Sequence, residues 1–544
     1  MTRNEQAVLP FINPATGERF GEVAMATADD VARAHKEMRQ AFDVWRRKSV
    51  RERVRILRQF QALIIDALDE VTAVINQDTG KSRQDGLIEV MVSVDRLHQY
   101  YKHAPRWLRR RRVPPGLYMF KRYYTEPHPV GVVAVIGPWN YPFDLTVPVV
   151  CSALLAGNTV ILKPSEVTPA TGALIEDLFQ RVPELAPFVR VLHGDGVVGA
   201  MLVDSRPDLV FLTGSTATGR IVAKAAAEHM IPFLCELGGK DPMIVLEDAD
   251  IPAAARWGAW GAFYNTGQTC MGVERVYVVE PVYDEFVREV VAQTQKLKVG
   301  FSPEFDNQYD IGPLTFERQV HIIEDHMQDA LAKGARVLVG GKIEGLFMEP
   351  TVVVDVDHSM KLMREETFGP ILPIMKVQDE AEALALANDN EYGLSACVWS
   401  QDMRQAKRVA HRLDVGSVNV NDAISHYPVS LLPFGGVKQS GNARTHGQQE
   451  VLQFTQLRSY AIGRPPLPID LATRMREPGH YRLGAAVMRL AFGVTTKQRL
   501  QPLAEALAMW GGGDGEKKAG KLAAVLGSAA AAAAVLLGLA RSRK

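Results

Sequence analysis

The chain has 544 residues, with 62 Lys+Arg balanced by 62 Asp+Glu for a formal net charge of zero, which leaves no electrostatic footprint for nucleic acid. With 47% hydrophobic and 23% charged residues, global disorder is excluded. So long a chain exceeds a single hydrophobic core and predicts two or three domains.

Met1 to Pro10 carries charges and no apolar core, so no secretory signal is expected there. Asn13-Pro14-Ala15-Thr16-Gly17-Glu18 reads as a turn between two short strands. Thr27-Ala28-Asp29-Asp30 reads as a helix cap. Helical periodicity then runs from about Val31 to Ala73 and from about Leu87 to Trp107. Apolar strand-like runs follow at Val130 to Ile136, Thr159 to Pro164, Val189 to Leu192 and Leu209 to Thr213, alternating with helical segments. That alternation predicts a parallel sheet covered on both faces. It resumes with a strand at Val273 to Val279, a helix to about Leu297, a strand at Arg336 to Val339 and a late strand within Leu413 to Val420. The fold class is therefore α/β, with two doubly wound parallel-sheet domains that break near Glu236.

From Pro465 to Gly515 the pattern weakens into Pro and Gly clusters, which reads as an appendage and linker. Leu522 to Ala540 is uncharged, with Lys517, Lys518 and Lys521 before it and Arg541, Arg543 and Lys544 after it. As a helix it would extend about 28 Å, close to a bilayer's hydrocarbon thickness. We read residues 516–544 as a membrane tail anchor, with membrane lipid as a partner through residues 522–540. The bland reading is an Ala-rich helix packed on the protein, since Ala drives insertion weakly. The basic run Arg106, Arg109 to Arg112 reads as a solvated face, with anionic lipid as its second reading.

The chemistry centres on Cys270, in Tyr264-Asn265-Thr266-Gly267-Gln268-Thr269-Cys270, and on Glu236, in Glu236-Leu237-Gly238-Gly239-Lys240. A thiolate can add to a carbonyl carbon, and a carboxylate can activate water against the thioester that results. Cys151, Cys235 and Cys397 lack comparable context and read as packing residues, with the Cys235 side chain directed away from that of Glu236. The four cysteines show no metal-ligand spacing, so no metal is expected, and they are too sparse for a disulfide scaffold. A reducing compartment follows, hence a cytoplasmic catalytic domain. Gly214-Ser215 opens a helix after a strand, where backbone N–H groups can hold a pyrophosphate. Gly214 and Gly219 have P-loop spacing, but Arg220-Ile221 replaces Lys-Ser/Thr, against nucleotide hydrolysis. Gly194-Asp195-Gly196-Val197-Val198-Gly199 matches a dinucleotide fingerprint, and we read it as an interstrand loop rather than a cofactor site.

Seven motifs in one order resemble the aldehyde dehydrogenase superfamily over residues 10 to 460. They are Pro138-Trp139-Asn140-Tyr141-Pro142, Lys163-Pro164-Ser165-Glu166, Phe211-Leu212-Thr213-Gly214-Ser215, Glu236 to Lys240, Gly267 to Cys270, Glu365-Glu366-Thr367-Phe368-Gly369-Pro370 and Pro433-Phe434-Gly435-Gly436-Val437-Lys438. The resemblance implies Cys270 as nucleophile, Glu236 as general base for thioester hydrolysis, and Asn140 as oxyanion donor beside the Cys270 amide. It assigns Lys163, Ser165 and Glu166 to the adenosine side of a dinucleotide, and Gly214, Ser215, Gly219 and Leu237 to its middle. Glu366 and Phe368 fall to the nicotinamide ribose and ring, and Trp139 to a cofactor or substrate wall. A carboxylate at Glu166 favours NAD, with NADP as the second possibility.

The implied function is NAD-dependent oxidation of an aldehyde to the carboxylic acid, and a lipid-anchored enzyme would meet medium- to long-chain aliphatic aldehydes. Two rivals are a coenzyme A-acylating semialdehyde dehydrogenase, against which Glu236 speaks, and a non-catalytic membrane-attached scaffold. The implied layout is an NAD-binding domain of residues 1–110 and 127–235 and a catalytic domain of residues 236–440. Residues 111–126 and 441–462 supply oligomerising elements of a homodimer or homotetramer, and residues 463–515 form the appendage.

Overall fold

The turn at Asn13 to Glu18 forms because Gly17 takes a left-handed φ of 73° and the Asn13 side chain accepts from the Ala15 N–H. It joins the antiparallel strands Val8–Ile12 and Arg19–Ala24. The computed structural model describes residues 7–115, 121–305, 308–463 and 480–502. They divide into a larger unit, Met1–Leu108 with His128–Gln456, and a smaller one, Arg109–Pro127 with Leu457–Lys544.

The expected helix from Val31 to Ala73 is broken into Ala28–Trp45, Val50–Asp66 and Leu68–Thr79. Reciprocal capping boxes cause the restarts: Thr27 with Asp30 opens the first, and Ser49 with Glu52 opens the second. Ser82 caps the long helix Arg83–Trp107. Trp45, Phe60, Leu97 and Tyr100 pack onto one face of the first sheet, whereas Val31, Ala34 and Met38 of the first helix pack onto the other.

That first sheet is parallel throughout. Its order is Val189–Val191, Thr159–Lys163, Val132–Ile136, Leu209–Thr213, Phe233–Glu236. In chain order this is 3-2-1-4-5, so the topological switch lies between Val132–Ile136 and Leu209–Thr213. Ligands of open α/β sheets bind beyond the carboxyl ends of the strands at such a switch. The segment Trp139–Asn140 and the cap Ser215 of the helix Thr216–Glu228 both start there.

Five residues after Glu236, having left this sheet, the chain starts a second one at Asp241. Its order is Arg336–Val339, Thr351–Val354, Ile371–Val377, Val273–Val279, Asp241–Val245, Ser395–Trp399, Ser417–Val420. All neighbours are parallel except the edge strand Arg336–Val339, which pairs antiparallel with Thr351–Val354. Both sheets belong to the one larger unit, although the sequence suggested separate domains. The break at Glu236 coincides with the passage between sheets.

The segments expected to oligomerise, residues 111–126 and 441–462, do not form one structural unit. Arg111–Val113, Lys121–Pro129 and Thr455–Gly463 do share a three-stranded sheet, with the Tyr124 and Tyr460 rings stacked at 4.6 Å. Residues 441–456 instead belong to the larger unit, because Gly441 bridges Glu236 and the buried Glu450 binds Tyr100 and Ser152. Within the appendage the described part is the helix His480–Phe492 and the residues to 502. Among the described residues no helix is long and apolar enough to cross a membrane. The segment 522–540 lies outside the described residues.

Candidate active site

The two sheets present opposite edges to one region. From the first come carboxyl-end residues: Asn140, Lys163, Gly214-Ser215 and Glu236. From the second come residues just ahead of strand starts: Gly238-Gly239 before Asp241–Val245, Cys270 before Val273–Val279, and Glu366 to Phe368 before Ile371–Val377.

Glu236 is 2% exposed. Burial pushes its carboxyl up to about 8, a hydrogen bond with Cys270 opposes that rise, and the Asp241 charge adds to it. Its Oε1 has no hydrogen-bond partner. The Cys270 thiol lies well above its ordinary range, through burial and then the charges of Glu236, Asp241 and Glu366. Cys270 is half-buried, whereas Cys151, Cys235 and Cys397 are buried. Cys235 points as alternation requires: it packs with Val31, Leu212 and Ile231, on the other face from Glu236.

The backbone before Cys270 is unusual. Asn265, Thr266 and Gly267 take φ of 51°, 59° and 71° in succession. A Cβ on Gly267 would also lie 2.2 Å from the Gly369 carbonyl oxygen. Left-handed non-glycine residues are strained and persist only where surroundings over-determine them. Here Asn265 Nδ2 donates to the Gln268 O at 3.1 Å and the Asn140 O at 3.3 Å, and Gln268 Oε1 accepts from the Thr315 N–H at 3.0 Å. Asn140 is buried, and its Nδ2 donates to the Gln268 carbonyl at 3.1 Å. An amide nitrogen carries two hydrogens, so a second N–H remains.

Glu366 is half-buried against the Gly238-Gly239 turn. The Gly239 N–H donates to it at 3.1 Å, and a Cβ on Gly238 would come 2.2 Å from its oxygen. Burial raises its pKa, with the Glu274 charge next. Phe368 has a left-handed φ of 54°, and Trp139 packs edge-on to its ring at 5.4 Å. This loop is pinned by Glu274, a residue that motif reading passed over. The Glu274 carboxylate accepts from the Thr367 and Phe368 N–H groups at 2.8 and 2.9 Å and from Lys240 Nζ at 2.6 Å.

At the other end, Lys163 Nζ donates to Glu166 Oε2 at 3.1 Å and to the Gly194 carbonyl at 2.7 Å. Gly194 thus serves an interstrand loop, with Asp195 capping the helix Gly196–Asp204. Ser165 is buried and caps the Val167 N–H. Gly219 packs against Leu237, where a Cβ would meet its side chain at 2.8 Å. The helix N-terminus at Ser215 and the partly exposed Glu166 both follow carboxyl ends of first-sheet strands. A helix terminus for a pyrophosphate, a carboxylate for a ribose and the packed Trp139 and Phe368 rings fit a dinucleotide.

Beside Cys270 lies an apolar cluster that includes Tyr141, Leu145, Tyr264, Ile424, Tyr427 and Phe434. Tyr427 donates to Asp144 at 2.6 Å, which fixes its ring across the Phe434 ring at 5.0 Å. Among the described residues no cluster of His, Cys, Asp and Glu suited to a metal ion occurs.

Comparison with known proteins agrees with this geometry. The model of the aldehyde dehydrogenase family matches residues 1–460. The chain is 44% identical over 460 residues to a 4,4'-diapolycopene aldehyde oxidase from Methylomonas sp, covering 84% of this chain and 86% of that one. Two solved structures are similar to it. Betaine aldehyde dehydrogenase from Staphylococcus aureus in complex with NAD+ has a TM-score of 0.81 at 30% identity, covering 86% of this chain and 93% of that one. NADP-dependent glyceraldehyde-3-phosphate dehydrogenase from Bacillus halodurans complexed with NADP has a TM-score of 0.80 at 31% identity, covering 84% and 96%. A family match over most of the chain, together with 44% identity to a named enzyme, establishes that this chain belongs to the aldehyde dehydrogenase family and is an oxidoreductase acting on aldehydes.

Proposed function

We propose that the chain oxidises an apolar, medium- to long-chain aliphatic aldehyde to its carboxylic acid through a thioester on Cys270. The observation that carries this reading is the convergence of the two sheets on one site, where the buried Glu236 ends a strand of the first, Cys270 precedes a strand of the second, and the Asn140 amide is bonded to Gln268 of the Cys270 loop.

The Cys270 thiol first gives its proton to solvent. The thiolate adds to the carbonyl carbon, and the oxyanion accepts from the Asn140 amide and the Cys270 N–H. Lys163, Ser165 and Glu166 would hold the adenosine side of a dinucleotide, Gly214, Ser215, Gly219 and Leu237 its middle, and Glu366, Phe368 and Trp139 its reacting end, where it would supply a hydride acceptor for the adduct. Glu236 then takes a proton from water as that water attacks the thioester carbon, Cys270 leaves as thiolate, and the acid is released. A carboxylate at Glu166 supports NAD over NADP. The aromatic and aliphatic cluster beside Cys270 supports an apolar substrate, and the Methylomonas relative is named for a diapolycopene aldehyde. Attachment to a membrane through residues 522–540 rests on the sequence alone and belongs to the same reading.

Substitution separates the steps. Cys270→Ala abolishes aldehyde-dependent NADH formation. Glu236→Gln, measured at high enzyme concentration, stalls after at most one turnover with acylated Cys270 detectable by mass spectrometry. Asn140→Ala lowers kcat by about 10²–10³-fold. Undiminished NADH formation by Cys270→Ala would overturn the assignment.

A further inference from the structure

Lys81 and Glu89 belong to none of the motifs, yet both are buried, 4% and 2% exposed. Their side chains meet at 2.8 Å. An ion pair so deep is costly unless every lone pair and proton is used, and here the uses converge on one segment. Glu89 Oε1 accepts from the N–H groups of Phe143 and Asp144 at 2.8 and 3.1 Å. Lys81 Nζ donates to the Asn140 carbonyl at 2.7 Å and sits 4.3 Å from the centre of the Tyr141 ring. Ser93, one helical turn beyond Glu89, donates to Asp144 Oδ1 at 2.8 Å. The turn Asn140 to Asp144 is thus gripped at both ends by opposite charges.

We propose that the Lys81–Glu89 pair is a positioning device for the Asn140 amide, acting on the reaction at Cys270 through the backbone of residues 140–144. It rests on the reading of Asn140 as an oxyanion donor. The pair has no contact with the reacting atoms, so its effect must vanish when Asn140 no longer offers an amide. An oxyanion donor displaced by about 1 Å loses much of its value. A stabiliser of the fold would instead add its loss to any other.

The test is a double-mutant cycle in the full-length enzyme, with octanal and whichever of NAD and NADP the parent turns over, read as kcat, KM for cofactor and melting temperature. Glu89→Gln is expected to lower kcat about 10- to 100-fold with KM for cofactor within about twofold. In an Asn140→Ala background the same change is expected to cost less than about twofold further. Lys81→Met repeats the cycle from the other partner, and Lys81→Arg is expected to recover part of kcat. An impaired Asn140→Ala enzyme combined with multiplicative losses in the double variants overturns the positioning role while leaving the oxyanion reading intact. Full activity of Asn140→Ala alone removes that reading and this proposal with it. Loss of the folded state in both Glu89→Gln and Lys81→Met also overturns it, since the pair would then be a folding device.

Discussion

A carboxyl that titrates near 8 binds a proton in the native state which the unfolded chain gives up in the ordinary carboxylate range. For Glu236 the contribution to stability is therefore full at acid pH, declines above the ordinary carboxylate range, and is lost as pH rises through about 8. The melting temperature of Glu236→Gln should accordingly match the parent near pH 4 and exceed it by several degrees near pH 9, as followed by circular dichroism. Catalysis has the opposite sign, because only the ionised form can take a proton. Thioester hydrolysis should accelerate with pH up to about 8, and that limb should vanish in the Glu236→Gln variant in single-turnover assays. Cys270, Glu236 and Asn140 are proposed from short flanking motifs, and the fold brings those motifs to the facing ends of the two sheets. Glu274 was not so marked: it sits inside the apolar run Val273 to Val279, where a lone charge suggests an outward face. It is buried because its partners, Lys240, Thr367 and Phe368, stand 34 to 94 positions away.

Elements behave differently from single groups, since a loop's shape is set where it is anchored. Two loops here adopt left-handed backbone at non-glycine residues, Asn265-Thr266 and Phe368, and each is tied down by buried polar contacts. Replacing Gly267 with alanine would drive a methyl group into the Gly369 carbonyl at 2.2 Å and so shift both loops. A stability loss of about 2 kcal/mol or more is expected in urea unfolding, with kcat lowered at least about tenfold. Glu274→Gln would leave Lys240 buried without its counter-charge, at a cost of about 3–5 kcal/mol, and KM for cofactor should rise as the Glu366–Phe368 loop loosens. Most strands were legible because buried parallel strands are continuous apolar runs. The run from Val31 to Ala73 misled because periodicity persists across Arg46 to Ser49, and it hides the Ser49-Val50-Arg51-Glu52 capping box on which the helix restarts.

At the scale of the whole chain, the passage from Glu236 to Asp241 makes two parallel sheets share one site, the first lending its carboxyl edge and the second its amino edge. Sequence located that passage, but it left open that both sheets would belong to one unit, since contacts between distant segments leave no periodic trace. The reading of residues 516–544 as an anchor belongs here too. Removing them should move the enzyme from the membrane to the soluble fraction of lysed cells with octanal turnover unchanged. A full-length protein found wholly in the soluble fraction would end that reading.

Cys270 and Glu236 ride on different sheets, so their meeting point doubles as a strain gauge for the joint. As urea rises, the first thiol to react with a bulky disulfide reagent should be Cys270, ahead of Cys151 and Cys397 in the sheet and helix interiors. A saturating dinucleotide, clamped across the same joint, should delay that reaction in proportion to its occupancy.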